Sequence, residues 1–212
     1  PNIKFSNEKF NYTRIIKQKR NKWYDNVPLH YFIRPRPGDR YLLSGVFASY
    51  KYFIGYDDEI KKLFEFKNKF NEIANKNFSN IVNNEKTISL HFRRGDRYRK
   101  VIKKQKFWCV VELDYYYNAI DSFIKDHKDH LFVICNQGGD QKWIDNNIIP
   151  YLKKKNQKYY NVPSNTPSVL TMYLITRCKH NITSNSTFSL MSSYISYYDT
   201  KKTIIAPHGT PG

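Results

Sequence analysis

The sequence predicts an α/β protein built on a doubly wound parallel sheet, and three observations carry the prediction. From residue 85 onward, short apolar strands alternate with helical stretches, the pattern of a parallel sheet with crossover helices. Leu131-Phe132-Val133-Ile134-Cys135 is apolar without alternation, as expected of a strand covered on both faces. Two loops rich in Arg, Gly, Asn and hydroxyl side chains follow strands directly, and open α/β sheets bind ligands at those carboxyl edges.

Taken in order, residues 1–30 read as a basic, polar strand or arm followed by loop, and Phe32 to Asp39 as a turn-rich connector. Tyr41 to Gly45 is a short strand. Asp57-Asp58-Glu59 supplies an acidic helix start, which the helix dipole favours. Ile60, Leu63, Phe64 and Phe66 follow at helical spacing, and a second helix covers Asn68 to Asn77. The polar break Asn83-Asn84-Glu85-Lys86 marks a domain boundary. Residues 1–84 are then the remainder of an N-terminal region, part of a second α/β domain, and 85–208 a Rossmann-like domain.

Beyond the break, Thr87 to Phe92 is a strand. Asp114 is expected to cap a helix that runs through Tyr116, Ala119, Ile120 and Phe123. After the Leu131–Cys135 strand, a helix from Gln141 to Leu152 is expected to break at Pro150. Tyr159 to Val162 is a strand. Thr166 as N-cap and Pro167 at the first helical position open a helix to Arg177. His180 to Thr183 is a strand, Phe188 to Tyr197 a helix, and Thr203 to Ala206 the closing strand.

The 212 residues carry 36 Lys plus Arg against 18 Asp plus Glu, a net charge of +18. Such a field favours anionic partners. The excess is mostly lysine spread along the chain among Asn, Ile and Tyr, so solvated faces outweigh a dedicated polyanion surface. Cys109, Cys135 and Cys178 lack metal-ligand spacing, and buried free thiols are the expectation. His127 and His130 stand three apart with no third ligand near them in sequence, which argues against a metal site. No apolar run is long enough to span a bilayer. The chain starts at Pro1-Asn2, without initiator Met or signal peptide, and reads as a fragment. Its compartment is open between cytoplasmic and membrane-associated, the latter through a segment before Pro1.

Two motifs carry chemistry. In His91-Phe92-Arg93-Arg94-Gly95-Asp96, arginine forks match phosphate oxygens. Gly95 allows a sharp turn close to a ligand, and Asp96 orients an arginine or caps the loop. The plainer alternatives are a basic surface turn or an exposed Arg94-Gly95-Asp96 adhesion tripeptide, the latter disfavoured directly after a core strand. In Asn185-Ser186-Thr187-Phe188-Ser189, Ser186 or Thr187 suits an N-cap, and the free N–H groups of the first turn form an anion site. Asn181-Ile182-Thr183 and Asn185-Ser186-Thr187 are also glycosylation sequons, taken as coincidental at a sheet edge. His180 reads as a core histidine with a backbone partner. Asn136-Gln137-Gly138-Gly139-Asp140, also after a strand, suggests a further loop near the ligand.

These residues resemble a known family. His91 to Asp96 is similar to the first motif, His-x-Arg-Arg-Gly-Asp-Tyr, of the α-1,2-fucosyltransferases of glycosyltransferase family 11. Cys178-Lys179-His180-Asn181 running into Asn185-Ser186-Thr187-Phe188-Ser189 resembles their late motif. Leu113-Asp114-Tyr115-Tyr116 resembles their helix start, and Thr203 to Pro207 their closing strand. Arg97 stands in place of the family's Tyr, Cys135-Asn136-Gln137 in place of Ser-Asp-Asp, Thr171 in place of an acidic residue, and Leu190-Met191 in place of Trp-Trp. The family's glycine-rich opening segment is absent from the chain.

The resemblance implies a GT-B-like enzyme that transfers fucose from GDP-fucose with inversion to a galactoside or other glycan hydroxyl, with no cofactor or metal required. It implies that Arg93 and Arg94 hold the diphosphate and that His91 and Asp96 shape the loop, with His91 and Gly95 also among the binding residues and Arg93 and Asp96 as catalytic candidates. Asn185, Ser186, Thr187 and Ser189 then contact nucleotide or phosphates. The implied partners are a nucleotide sugar and a glycan acceptor, with no specific nucleic acid. Two other readings remain: a non-catalytic basic protein that binds polyanions or nucleic acid, and an inactive transferase homologue.

Overall fold

A computed structural model describes residues 14–17, 38, 40–44, 55–95, 110–136, 138–196 and 201–207. The chain divides into two compact units, residues 1–65 with Gly212, and Phe66–Pro211. In the first, strands β1 (Arg14–Lys17) and β2 (Tyr41–Ser44) pair in parallel, Arg14 opposite Tyr41 and Lys17 opposite Ser44. Helix α1 (Asp57–Leu63) begins on its three acidic residues, as its sequence predicts.

The second unit holds a five-stranded, all-parallel sheet. Its strands are β3 (Thr87–His91), β4 (Leu131–Cys135), β5 (Tyr159–Asn161), β6 (His180–Ile182) and β7 (Ile204–Ile205), in spatial order β5-β4-β3-β6-β7. The chain winds outward from β3 through β4 to β5, then crosses back to lay β6 on the other side of β3. The reversal of winding direction falls between β3 and β6, where open sheets leave a crevice for ligands. The doubly wound α/β fold expected from the sequence is the fold observed.

Helices cover both faces. On one, α4 (Leu113–Asp126) and α5 (Gln141–Lys154) bury Tyr116, Ile120, Phe123, Ile144, Ile148 and Leu152 against Ile88, Leu90, Phe132 and Ile134. On the other, α2 (Asn68–Asn77), α3 (Ser79–Val82) and α6 (Ser168–Arg177) pack Ala74, Phe78, Ile81, Leu170 and Leu174 against Val133 and Cys135. β4 shows why its sequence does not alternate: Phe132 and Ile134 belong to one core, Val133 and Cys135 to the other. Cys135 and Cys178 are buried free thiols, as expected, and burial pushes the Cys178 thiol up to about 12. Cys109 lies outside the described residues.

The second face of β3 is polar and closed by hydrogen bonds to β6 and its flanks. The Lys179 N–H donates to Thr87 Oγ1 at 3.1 Å, Asn181 Nδ2 donates to Ser89 Oγ at 2.5 Å and to the Ile175 carbonyl at 3.2 Å, and His91 Nδ1 meets Ser184 Oγ at 2.9 Å. Buried polar groups need such partners, and here they join the two strands that flank the crevice.

Four local expectations shift. α5 runs through Pro150 to Lys154 without ending. Pro150 is exposed, and the burial of Ile144, Ile148 and Leu152 along the helix outweighs the lost hydrogen bond. Asp114 is not the cap of α4: Glu112 holds the N-cap position and Asp114 sits in the first turn, still favourably placed against the dipole. Pro167 occupies the N-cap position of α6 rather than its first turn. The closing strand is confined to Ile204–Ile205.

Tyr116 is fully buried, and its hydroxyl has no hydrogen-bond partner among the described residues. Burial also pushes its ionisation far above the ordinary tyrosine range. Tyr116→Phe removes a buried, unpaired polar atom and keeps the ring. The substitution should therefore be neutral or stabilise by about 1 kcal/mol, read as a melting temperature unchanged or higher by about 3 °C.

Candidate functional site

Both chemistry-bearing motifs emerge at the carboxyl ends of the strands flanking the crevice. β3 runs directly into Phe92, Arg93, Arg94 and Gly95, and β6 into Thr183, Ser184, Asn185 and Ser186. Although far apart in sequence, they are joined by the His91–Ser184 hydrogen bond. His91 is buried and its ring lies 5.5 Å from that of Phe188. This residue holds the two loops in register.

The arginine loop is anchored from below. Phe92 is fully buried, its ring 4.6 Å from Tyr116 and 5.8 Å from Trp143, and its N–H donates to the Cys135 carbonyl at 2.9 Å. Asp140, 2% exposed, accepts the Arg94 N–H on Oδ2 at 2.9 Å and the Gly95 N–H on Oδ1 at 2.5 Å. One carboxylate thus fixes two successive peptide groups of the loop, in charge-assisted bonds. Gly95 packs against Gly139: a Cβ at Gly95 would lie 3.3 Å from Asp140 Oδ1 and 3.7 Å from Gly139 Cα. A side chain here would press on the carboxylate that holds the loop, so the close approach favours glycine.

The two arginines have different surroundings. Arg94 Nη1 donates to the Val111 carbonyl at 3.0 Å, and its guanidinium lies 4.0 Å from the Trp143 ring centroid, a cation–π contact. Arg94 is therefore tied into the structure beneath the loop. Arg93, half-buried, precedes it at the edge of the crevice. Asp96 lies outside the described residues.

On the other side of the crevice, helix α7 (Thr187–Tyr194) starts at the edge of β6, with Ser186 at its N-cap position in extended conformation. Ser186 makes no side-chain cap bond, so the hydroxyl does not close the helix end as the sequence suggests. The first-turn N–H groups and the dipole point positive charge toward this edge. Thr187 is exposed, while Asn185 and Ser186 are each 9% exposed. Ser189 is buried, and its hydroxyl donates to the Ser186 carbonyl at 3.1 Å, a bond that supports the turn from within. Asn181 and Asn185 are both buried, which closes both sequons to glycosylation.

Three residues of the site are not singled out by the sequence. Asp140 sits at the end of Gly138-Gly139-Asp140, a one-turn 3-10 helix, and only the two glycines hinted at a loop near the ligand. Trp143 supplies the face under Arg94. Tyr115 donates its hydroxyl to the Thr183 carbonyl at 2.7 Å, with the Ile205 carbonyl at 3.0 Å, and so ties α4 to the ends of β6 and β7. Burial raises its ionisation, which keeps it a donor.

The chain is similar to known proteins in sequence and in fold. The chain is 34% identical over 130 residues to the O-antigen biosynthesis glycosyltransferase WbnK of Escherichia coli, covering 60% of this chain and 40% of that protein. It is 28% identical over 166 residues to the galactoside alpha-(1,2)-fucosyltransferase 1 of Mus musculus, covering 74% and 42%. The chain thus spans about two fifths of the length of these curated relatives. Its fold matches crystal structures of POFUT1 in complex with GDP-fucose (TM-score 0.54, 14% identity) and with GDP (TM-score 0.55, 13% identity). The first match covers 88% of this chain and 58% of that one, the second 87% and 59%. The sequence profile of glycosyl transferase family 11 matches residues 3–210, and the chain belongs to that family.

Proposed function

We propose that the chain is the donor-binding part of a fucosyltransferase that moves fucose from GDP-fucose, with inversion, to a hydroxyl of a galactoside or related glycan. The observation that carries the reading is the convergence of an anchored arginine loop and a helix N-terminus on the crevice between β3 and β6. In the reaction, the acceptor oxygen attacks the anomeric carbon as the bond to the diphosphate oxygen breaks, and the acceptor proton is released. Negative charge grows on the departing diphosphate, and fixed positive groups stabilise it. Arg93 and the first turn of α7, with Asn185, Ser186 and Thr187 around it, are the proposed contacts; Arg94, His91, Gly95 and Ser189 hold them in place. Asp96, expected from the resemblance to act in catalysis or shape the loop, stays a candidate. Residues 85–208 are the proposed GDP-sugar-binding domain and residues 1–84 the remainder of the acceptor side. Among the described residues no helix is long and apolar enough to cross a membrane.

Titration with GDP and GDP-fucose tests this reading. Wild type should bind both, and Arg93→Ala, measured well below its melting temperature, should weaken both by tenfold to a hundredfold, the loss of charge-assisted bonds worth about 1.5–3 kcal/mol. Binding that ignores Arg93, falls steeply with salt and is matched by any polyanion would instead make the chain a basic polyanion binder. Nucleotide binding without transfer, measured with the complete protein, would identify an inactive homologue.

A further inference from the structure

The opposite edge of the sheet gathers a second cluster. His127 caps the C-terminus of α4, His130 immediately precedes β4, and His180 opens β6. The strands are parallel, so all three lie at the amino edge, with the five residues of β3, about 15 Å of strand, between this level and the crevice. His127 and His130 offered two nitrogens from one turn, and the fold brings in His180 as the third. One candidate ligand nitrogen from each lies within 4.8 Å of the other two. The ring centroids are 4.7 Å (127–130), 4.4 Å (127–180) and 5.5 Å (130–180) apart. A tetrahedral zinc ion with bonds of about 2.0 Å needs ligand nitrogens about 3.3 Å apart and ring centroids about 5 Å apart. The rings already stand near that spacing, and the nitrogens, within 4.8 Å of one another, need to close by up to about 1.5 Å.

One further observation favours a ligand here. His130 Nδ1 is buried with no hydrogen-bond partner among the described residues. The charged groups around the cluster are Lys86, Asp129, Lys179 and Lys202. The three lysines oppose a cation, which sets the affinity below that of a closed thiolate site; they do not block access, since His127 and His130 are only half-buried.

We propose that His127, His130 and His180 form a binding site for a divalent transition-metal ion, zinc foremost, that clasps the end of α4 to the starts of β4 and β6. Three imidazoles with a fourth position open to water suit zinc and its neighbours in the first transition row. The present ring position of His180 gives the site a built-in reporter. His180 Nδ1 accepts the Thr203 N–H at 3.1 Å, so that nitrogen is unprotonated and Nε2 carries the proton. Ligation through either nitrogen breaks this bond, by direct competition at Nδ1 or by moving the ring proton onto it.

The test uses the whole chain with any purification tag removed. It is titrated with zinc chloride, and with cobalt chloride as a coloured substitute, while the Thr203 amide is followed by NMR. The expected results are one ion per chain, a tetrahedral cobalt absorption spectrum and a shift of the Thr203 amide. The double variant His127→Gln, His130→Gln, at two half-buried positions, should bind at least tenfold more weakly. The proposal is overturned if the folded wild type takes up no stoichiometric ion, if zinc binds without moving the Thr203 amide, or if the folded double variant binds as well as wild type. Should the double variant not fold, the cobalt spectrum and the Thr203 amide of the wild type decide the matter alone.

Discussion

Asp140→Ala should lower stability by about 3 kcal/mol and weaken GDP binding at least tenfold. The carboxylate accepts two consecutive backbone N–H groups, those of Arg94 and Gly95, and is 2% exposed. Each partly buried donor left without an acceptor costs about 1–3 kcal/mol, and charged acceptors lie at the upper end. In a domain of this size, about 3 kcal/mol corresponds to a melting temperature lower by about 8 °C, readable by thermal denaturation. Asp140→Asn sharpens the argument because it preserves shape. Its amide keeps one oxygen for one N–H and turns an NH2 group toward the other, donor against donor. It should therefore lose nearly as much as Asp140→Ala. If Asp140→Asn behaves as wild type in both stability and GDP affinity, Asp140 only fills space and the loop is held by something else. The loss of GDP affinity follows because Arg93 is carried on the backbone that Asp140 fixes.

This anchoring changes how the first motif is understood. Two adjacent arginines after a strand suggest two equal phosphate ligands. In the structure the second arginine points into the protein, its guanidinium on Trp143 and its Nη1 on the Val111 carbonyl. One arginine of the motif thus supports the loop, and Arg93 is the one proposed to meet the ligand. The late motif divides in a similar way. Asn181 bonds β6 to Ser89 of β3, His180 accepts the Thr203 N–H, and only from Ser184 onward does the segment reach the crevice.

Where the sequence could be read depended on whether the physics was local. The β4 run and the alternation of strand and helix reveal themselves in a few consecutive residues, because burial on both faces and helical spacing leave their mark on composition. The strand edges carrying Arg93-Arg94-Gly95 and Asn185-Ser186-Thr187 were visible for the same reason. Asp140 was not, because its partners are 45 and 46 positions away and only the pairing of β3 with β4 brings them together. The His127–His130–His180 cluster is hidden likewise: the pair sits on one turn, and β6 supplies the third ring from the far side of β3. Pro150 shows the reverse case. Its local signal, a helix break, is real but smaller than the tertiary packing of Ile144, Ile148 and Leu152.

Phe92→Ala should be more damaging still, at about 3–5 kcal/mol, and should unfold much of the protein at 37 °C. Phe92 has no exposed surface and is wedged between Tyr116 of α4 and Trp143 of α5. Its deletion opens a cavity where both helices meet the sheet, and the surrounding rigid rings cannot collapse into it. Phe92→Leu fills most of that volume and should cost about 1–2 kcal/mol. The two variants separate packing from function. Phe92 stands between the strand and Arg93, and the Trp143 ring it touches also carries the Arg94 guanidinium. If the aromatic wedge positions the arginine loop, Phe92→Leu should lose GDP affinity by several-fold more than its small stability loss explains, measured well below its melting temperature. GDP affinity equal to wild type in a folded Phe92→Leu would show that the backbone bonds to Asp140 and Cys135 hold the loop without help from the ring stack.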